Sequence, residues 1–303
     1  MNKIIFLALI LAISCVHSEY IPTTFGLFTI ESQYTVFNAS TAAFIGNTSY
    51  PDIHYDLSSV LATDADSQTI TLLAQGVNTW LVEYSITNNS FIVLSEMKKS
   101  ISYAIAAQRY AYDAAHKIVA VVGATAVDSA MVINIWNFAK KTIDVVPLNI
   151  PYLAPPVGCY DDSTGHYYIT YTDKNSMTHL AIFNLLTKKM VSKQIMTLQS
   201  IRPVPIYNNG QMVLVDTRET LFLFYSVDLS DLSYKLFLKI PFYFPQNIMI
   251  VPIATYGDYA IIISSTQTNN YEFTTLNLNT LEYTNSPNSN LTMPIFSPLT
   301  FAF

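Results

Sequence analysis

Cys159-Tyr160-Asp161-Asp162, then Tyr167-Tyr168-Ile169-Thr170-Tyr171, then His179-Leu180-Ala181-Ile182-Phe183, then Met190-Val191-Ser192-Lys193: these four short runs decide the fold. Each is too short for a stable helix and is rich in β-branched and aromatic residues. Each is bounded by Asp, Asn, Gly or Ser of the kind that make turns. The two middle runs are nearly continuous in apolar residues. A strand in an open sheet with one wet face alternates apolar with polar, whereas one covered on both faces does not. The last run regains polar residues, as expected of a strand at a rim.

The same pattern recurs along the chain. A short strand ending in a turn is found at Ala62-Thr63-Asp64, Ala111-Tyr112-Asp113, Cys159-Tyr160-Asp161, Ile206-Tyr207-Asn208 and Thr255-Tyr256-Gly257, with Thr63 and the four tyrosines spaced 49, 48, 47 and 49 residues apart. An apolar run follows each marker, among them Ile118 to Val122, Met212 to Val215 and Ala260 to Ile263. Second hairpins follow in turn, such as Met131 to Trp136 with Thr142 to Val146, and Leu221 to Tyr225 with Tyr234 to Leu238. Four short strands repeated at a constant period in the forties form a repeat architecture of sheets that cover one another.

This repeat resembles the β-propeller superfamily, in architecture and over essentially the whole chain beyond the first residues. The Gly-His…Trp-Asp and Gly-Gly signatures of common propeller classes are absent, so no named family and no family site is implied. The resemblance implies an all-β fold with blades at about 57–100, 104–150, 154–199, 201–244 and 248–286. A further blade would combine a hairpin at Thr23–Phe37 with one or two strands from Leu291–Phe303, closing the ring with both chain ends. Six blades is the expectation; seven is the alternative if residues 38–56 hold extra strands. Residues 19–303 then form one domain.

Residues 1–18 read as a secretory signal peptide. Lys3 precedes an apolar run from Ile4 to Val16, and small residues flank a cleavage point after Ser18. The run falls short of the ~20 residues that span a bilayer, so no transmembrane segment is expected. A lipid-anchor signal at the end is disfavoured by the prolines and polar residues after Met293. Cleavage leaves 14 basic and 21 acidic residues, a net charge of −7, with no basic cluster larger than a pair, which argues against nucleic-acid binding. The same step removes Cys15 and leaves Cys159 as a lone, apolar filler. Asn38, Asn47, Asn88 and Asn290 each open an Asn-x-Ser/Thr triplet and are candidate glycosylation sites in a secreted protein.

Chemistry is sparse. There is no nucleophile elbow and no phosphate loop, and His54, His116, His166 and His179 lack the spacing of a metal site. Asp64, Asp66, Asp113, Asp161, Asp162 and Asp258 recur at turns, where Asp ordinarily caps its own backbone; no metal and no cofactor are expected. The candidate binding residues lie in loops of one face. Asp128, Asp173 and Arg218 stand between second and third strands; Tyr152, Arg202 and Tyr243 stand in the linkers between blades. These features favour a secreted, non-catalytic recognition module for an extracellular protein or glycan. A secreted hydrolase or lyase with an axial carboxylate site, and a structural component of a matrix or coat, are the alternatives.

Overall fold

The computed structural model describes residues 24–302 except 29–31, 39–40, 42, 52–55, 65, 99–109, 125–130, 149, 151, 197, 199–202, 209, 219, 242–248, 257, 266–270 and 289–298. The N-terminal strands are β1 (Thr24–Phe28), β2 (Gln33–Asn38) and β3 (Phe44–Ser49). Blade 1 comprises β4 (Asp56–Asp64), β5 (Thr69–Gln75), β6 (Thr79–Ser85) and β7 (Ser90–Met97). Blade 2 comprises β8 (Ala111–Asp113), β9 (Ile118–Ala124), β10 (Met131–Asn137) and β11 (Thr142–Pro147). Blade 3 comprises β12 (Ala154–Asp161), β13 (His166–Thr172), β14 (Thr178–Asn184) and β15 (Lys189–Met196). Blade 4 comprises β16 (Val204–Asn208), β17 (Gln211–Arg218), β18 (Leu221–Val227) and β19 (Tyr234–Pro241). Blade 5 comprises β20 (Met249–Tyr256), β21 (Tyr259–Ser265), β22 (Tyr271–Asn277) and β23 (Tyr283–Asn288), and β24 (Leu299–Ala302) ends the described chain.

All pairings within blades are antiparallel, and the closing sheet runs β24-β1-β2-β3. The C-terminal strand thus takes the innermost place of a blade whose other three strands come from the N-terminus, with Thr24 opposite Ala302 and Leu27 opposite Leu299. The innermost strands β4, β8, β12, β16, β20 and β24 each neighbour the next, and β24 returns to β4. This is a six-bladed β-propeller. The alternative of seven blades fails because residues 38–56 supply one complete strand, β3, as the outer strand of the closing blade. The N-terminal contribution is therefore three strands, not the expected hairpin.

The double-sided burial of middle strands is plain in β10, where Met131 through Trp136 are all buried. Alternation still operates, but both directions lead into a seam between blades. From β13, Tyr167, Ile169 and Tyr171 enter a cluster with Ile133 and Ile135 of blade 2. Tyr168 enters a cluster with Leu214 and Leu223 of blade 4. Similar seams join Leu73 and Leu81 to Trp136, Phe222 and Phe224 to Ile262 and Leu276, and Phe28 to Ile70 and Tyr84. Phe273 closes the last seam against Phe25, 4.9 Å between ring centres, and Phe37. Burial of this apolar surface is the main force holding sheet to sheet.

Two features depart from the sequence reading. Positive backbone φ angles fall at comparable turns, but the residues are not only Gly and Asn: Asn89, Lys141, Lys188, Leu232 and Leu281 lie between 46° and 64° before the outer strands of blades 1 to 5. The outer strands also expose apolar residues among their polar ones. Ile92, Val93, Val191 and Ile195 are each more than half exposed. Edge pairing with other chains is hindered by other means. Irregular pairing leaves Ile45, Leu94, Val191 and Phe237 as bulged residues in β3, β7, β15 and β19, and Pro147 and Pro287 sit in β11 and β23.

Candidate functional site

The face carrying the second-to-third-strand loops and the inter-blade linkers is best defined at blade 3. There β13 and β14 run into a loop at Asp173–Met177, and Tyr171 stands opposite His179 at its neck. Their rings stack at 4.7 Å with an interplanar angle of 1°. Asp173 closes the loop with both oxygens. Oδ1 accepts the backbone N–H groups of Asn175 and Met177 at 2.9 and 3.0 Å, and Oδ2 lies 2.9 Å from Nε2 of His179. The His179 hydrogen bond, with help from the Met177 N–H, holds the Asp173 carboxyl below the usual carboxylate range. An ionised Asp173 can only accept, so His179 donates to it through Nε2. Nδ1 is buried in the seam without a hydrogen-bond partner, as is the hydroxyl of Tyr171. Burial, and to a lesser degree the Asp173 charge, pushes that hydroxyl above the ordinary tyrosine range. The Lys193 ammonium sits 5.4 Å from the centre of the Tyr171 ring on its outer side.

At blade 4, Arg218 Nε donates to Asp216 Oδ2 at 2.9 Å; the Asp216 side chain is 2% exposed and the Arg218 side chain 40%. A buried carboxylate requires such a partner, and the guanidinium that supplies it keeps its far edge toward solvent. Tyr152 is half-buried against the apolar cluster between blades 2 and 3, so it fills the seam as well as facing the linker. Of the six residues singled out in the sequence, Asp173, Arg218 and Tyr152 thus lie in the described face. Asp128, Arg202 and Tyr243 lie outside the described residues. Tyr171, His179, Lys193 and Asp216 were missed. The available signal was the hairpin spacing that sets Tyr171 across from His179.

The opposite face holds the turn aspartates. Asp64 accepts the N–H groups of Asp66 and Ser67, and Asp113 accepts the N–H of His116 and lies 2.7 Å from its Nδ1. Asp161 accepts Ser163 N–H at 3.0 Å, Ser163 Oγ–H at 2.6 Å and the hydroxyl of Thr164. Burial raises the Asp161 carboxyl, but the hydrogen bonds of Ser163, Thr164 and Tyr207 outweigh it and leave the group below its ordinary range. Tyr207 belongs to blade 4, so the repeated tyrosine here reaches back to the turn of the preceding blade. The His116 side chain is 56% exposed, a solvated turn residue, and Cys159 is a buried thiol 3.9 Å from the sulfur of Met212. Among the described residues no three His, Cys, Asp or Glu side chains are grouped to hold a metal ion, and no helix is long and apolar enough to cross a membrane.

A ring of six four-stranded sheets, closed by strands from both ends, defines the class of protein as a β-propeller, and comparison with known proteins agrees. No protein-family description and no curated protein matches the chain. Among solved structures it is similar to TolB from Acinetobacter baumannii, with a TM-score of 0.61 and 8% identity over 96% of this chain and 70% of that one. It is also similar to a chain of the nidogen/laminin complex, with a TM-score of 0.56 and 11% identity over 92% of this chain and 98% of that one. At such identities the shared property is the fold.

Proposed function

We propose that the chain is secreted after removal of residues 1–18, carries N-linked glycans, and serves as a non-catalytic recognition module for an extracellular protein. The partner is bound on the face where the loop at Asp173–Met177 and Arg218 lie. One observation carries this reading: Asp173, His179 and Arg218, three described titratable groups of that face, are already committed. Both oxygens of Asp173 are used by its own loop and His179, the second nitrogen of His179 is buried, and Arg218 is tied to Asp216. Groups so held present fixed shape and charge, whereas general acid–base work needs a proton within reach of a substrate.

The six innermost strands around the axis contain no Glu and no His. Their acidic residues stand at strand ends, as Asp56, Asp64, Asp113 and Asp161, and the last three cap turns. A central carboxylate pair therefore has little support. The nidogen/laminin structure is a complex between proteins, which favours a protein partner over a glycan by analogy of fold.

The test is binding of the purified secreted protein to intact cells, followed by proximity labelling and reconstitution with the purified partner. Saturable binding, weakened about tenfold by Arg218→Ala in line with the loss of one interface anchor, is the expected result. Absence of saturable binding would refute the proposal. Binding abolished by glycosidase treatment of the cells would instead assign a glycan.

A further inference from the structure

We infer that Asn47 and Asn88 carry a pair of N-glycans that together shield the apolar rim where the closing blade meets blade 1. The inference rests on the reading of the chain as a secreted glycoprotein and goes beyond it by assigning the glycans a place and a task.

The two acceptor triplets are far apart in sequence but touch in the fold. Asn47-Thr48-Ser49 lies at the end of β3, and Asn88-Asn89-Ser90 forms the turn into β7. Asn89 Nδ2 donates to the carbonyl oxygen of Ser49 at 2.9 Å, so the middle residue of one triplet is bonded to the last residue of the other across the seam. Tyr50 and Phe91 pack edge to face immediately beneath, 5.5 Å apart.

Both acceptors are exposed. Asn88 projects from the turn, where its backbone N–H is held by Ser85 Oγ at 3.2 Å. Asn47 Nδ2 donates one hydrogen to Gln33 Oε1 at 2.8 Å. Glycosylation leaves that bond possible. The sugar C1 is transferred from a lipid-linked pyrophosphate oligosaccharide to Nδ2: the C1–O bond to pyrophosphate breaks, the C1–N bond forms, and Nδ2 gives up one of its two protons. The other still faces Gln33.

The surface beside these acceptors is one that a soluble protein has reason to cover. Ile45, Ile92 and Val93 are 53%, 56% and 51% exposed, and all three lie within five residues of an acceptor on the same strand or the turn leading into it. Contiguous exposed apolar surface promotes association. The bulges at Ile45 and Leu94 hinder strand pairing at these edges but leave the side chains uncovered. Two large hydrophilic chains, anchored on neighbouring blades, would keep a second molecule from approaching. The sector around blades 3 and 4 has no acceptor triplet within its described strands, so it stays open to a partner.

The experiment uses full-length protein secreted from a eukaryotic host that makes high-mannose glycans. Mass spectrometry should find Asn47 and Asn88 occupied, and sedimentation should show a monomer at every concentration. Trimming the glycans enzymatically under native conditions should make the protein associate, with the mass-average rising toward a dimer as concentration increases. Ser49→Ala with Ser90→Ala, which removes both acceptor triplets but keeps the Ser49 carbonyl, should do the same. Ile92→Ser with Val93→Ser in the trimmed protein should restore the monomer. Failure of secretion would overturn both this inference and the reading beneath it. Secreted protein with either asparagine unoccupied would overturn the shield alone, as would trimmed protein that stays monomeric or associates regardless of the serines.

Discussion

Gly158→Ala is expected to loosen the seam between blades 2 and 3, and the size of the effect follows from Tyr167. The Tyr167 ring, fully buried, lies directly over Gly158, and a Cβ added there would approach ring atoms well inside 3.0 Å. Backbone and ring cannot both stay. The Tyr167 hydroxyl accepts the N–H of Val122 at 3.2 Å, on β9 beyond Ala120, the last residue there paired with β8. Displacing the ring therefore overpacks the seam, at ~1–3 kcal/mol, and strands a buried N–H, at ~1 kcal/mol or more. A total of about 3 kcal/mol corresponds to a drop in Tm of roughly 6 °C for a domain of this size. The assay is thermal unfolding followed by circular dichroism, with Gly158→Ala made both in the parent and in a Tyr167→Leu background. The smaller side chain leaves room for the new methyl, so the two substitutions should couple by ~1 kcal/mol or more. A Tm within 1 °C of the parent, or an equal penalty in both backgrounds, would refute the reasoning.

Three further outcomes follow from side-chain hydrogen bonds and an ion pair. Tyr207→Phe removes a hydrogen bond to Asp161 and should cost ~1 kcal/mol near neutral pH. Asp161 is held below its unfolded pKa, so its contribution is present above that value and lost as pH falls through the folded one; a Tm series from pH 6 to pH 2 should be flatter in the variant. Asp173→Asn should speed hydrogen exchange at the amides of Asn175 and Met177 while leaving strand amides protected, which mass spectrometry of exchanged fragments would read. Lys188→Ala breaks the ion pair with Asp144, 2.7 Å but 45% and 40% exposed on its two sides, and should change stability by less than ~0.5 kcal/mol in denaturant titrations.

The parts of the fold that were legible in the sequence were those where burial constrains every residue of a strand. Met131 to Trp136 and Tyr167 to Tyr171 must be apolar or aromatic because a blade covers each face, and the turn tyrosines recur because the blades repeat. The closing blade was harder to read. Its outer strand, Phe-Ile-Gly-Asn-Thr-Ser, is paired on one side only, so little selects for strand formers there. Left-handed turn positions occupied by Lys141, Lys188 and Leu232 carry no Gly or Asn to mark them. The loop positions of Asp173 and Arg218 on one face were legible. The interior of the site was not, because the partners His179 and Asp216 look like ordinary strand residues until cross-strand register and burial give them neighbours.

Closure of the ring by the last strand is the claim on which the face, the seams and the glycan arrangement all depend. Cysteines placed at Thr24 and Ala302, which are direct partners across β1 and β24, test it with little perturbation, since paired strands hold such positions ~4.5–5.5 Å apart and a disulfide accepts ~4.4–6.8 Å. The account predicts that the double variant oxidises within a single chain, giving a faster-migrating monomer on non-reducing gels and a higher Tm than its reduced form. Thiols that remain free under mild oxidation, or that link only between molecules, would contradict it.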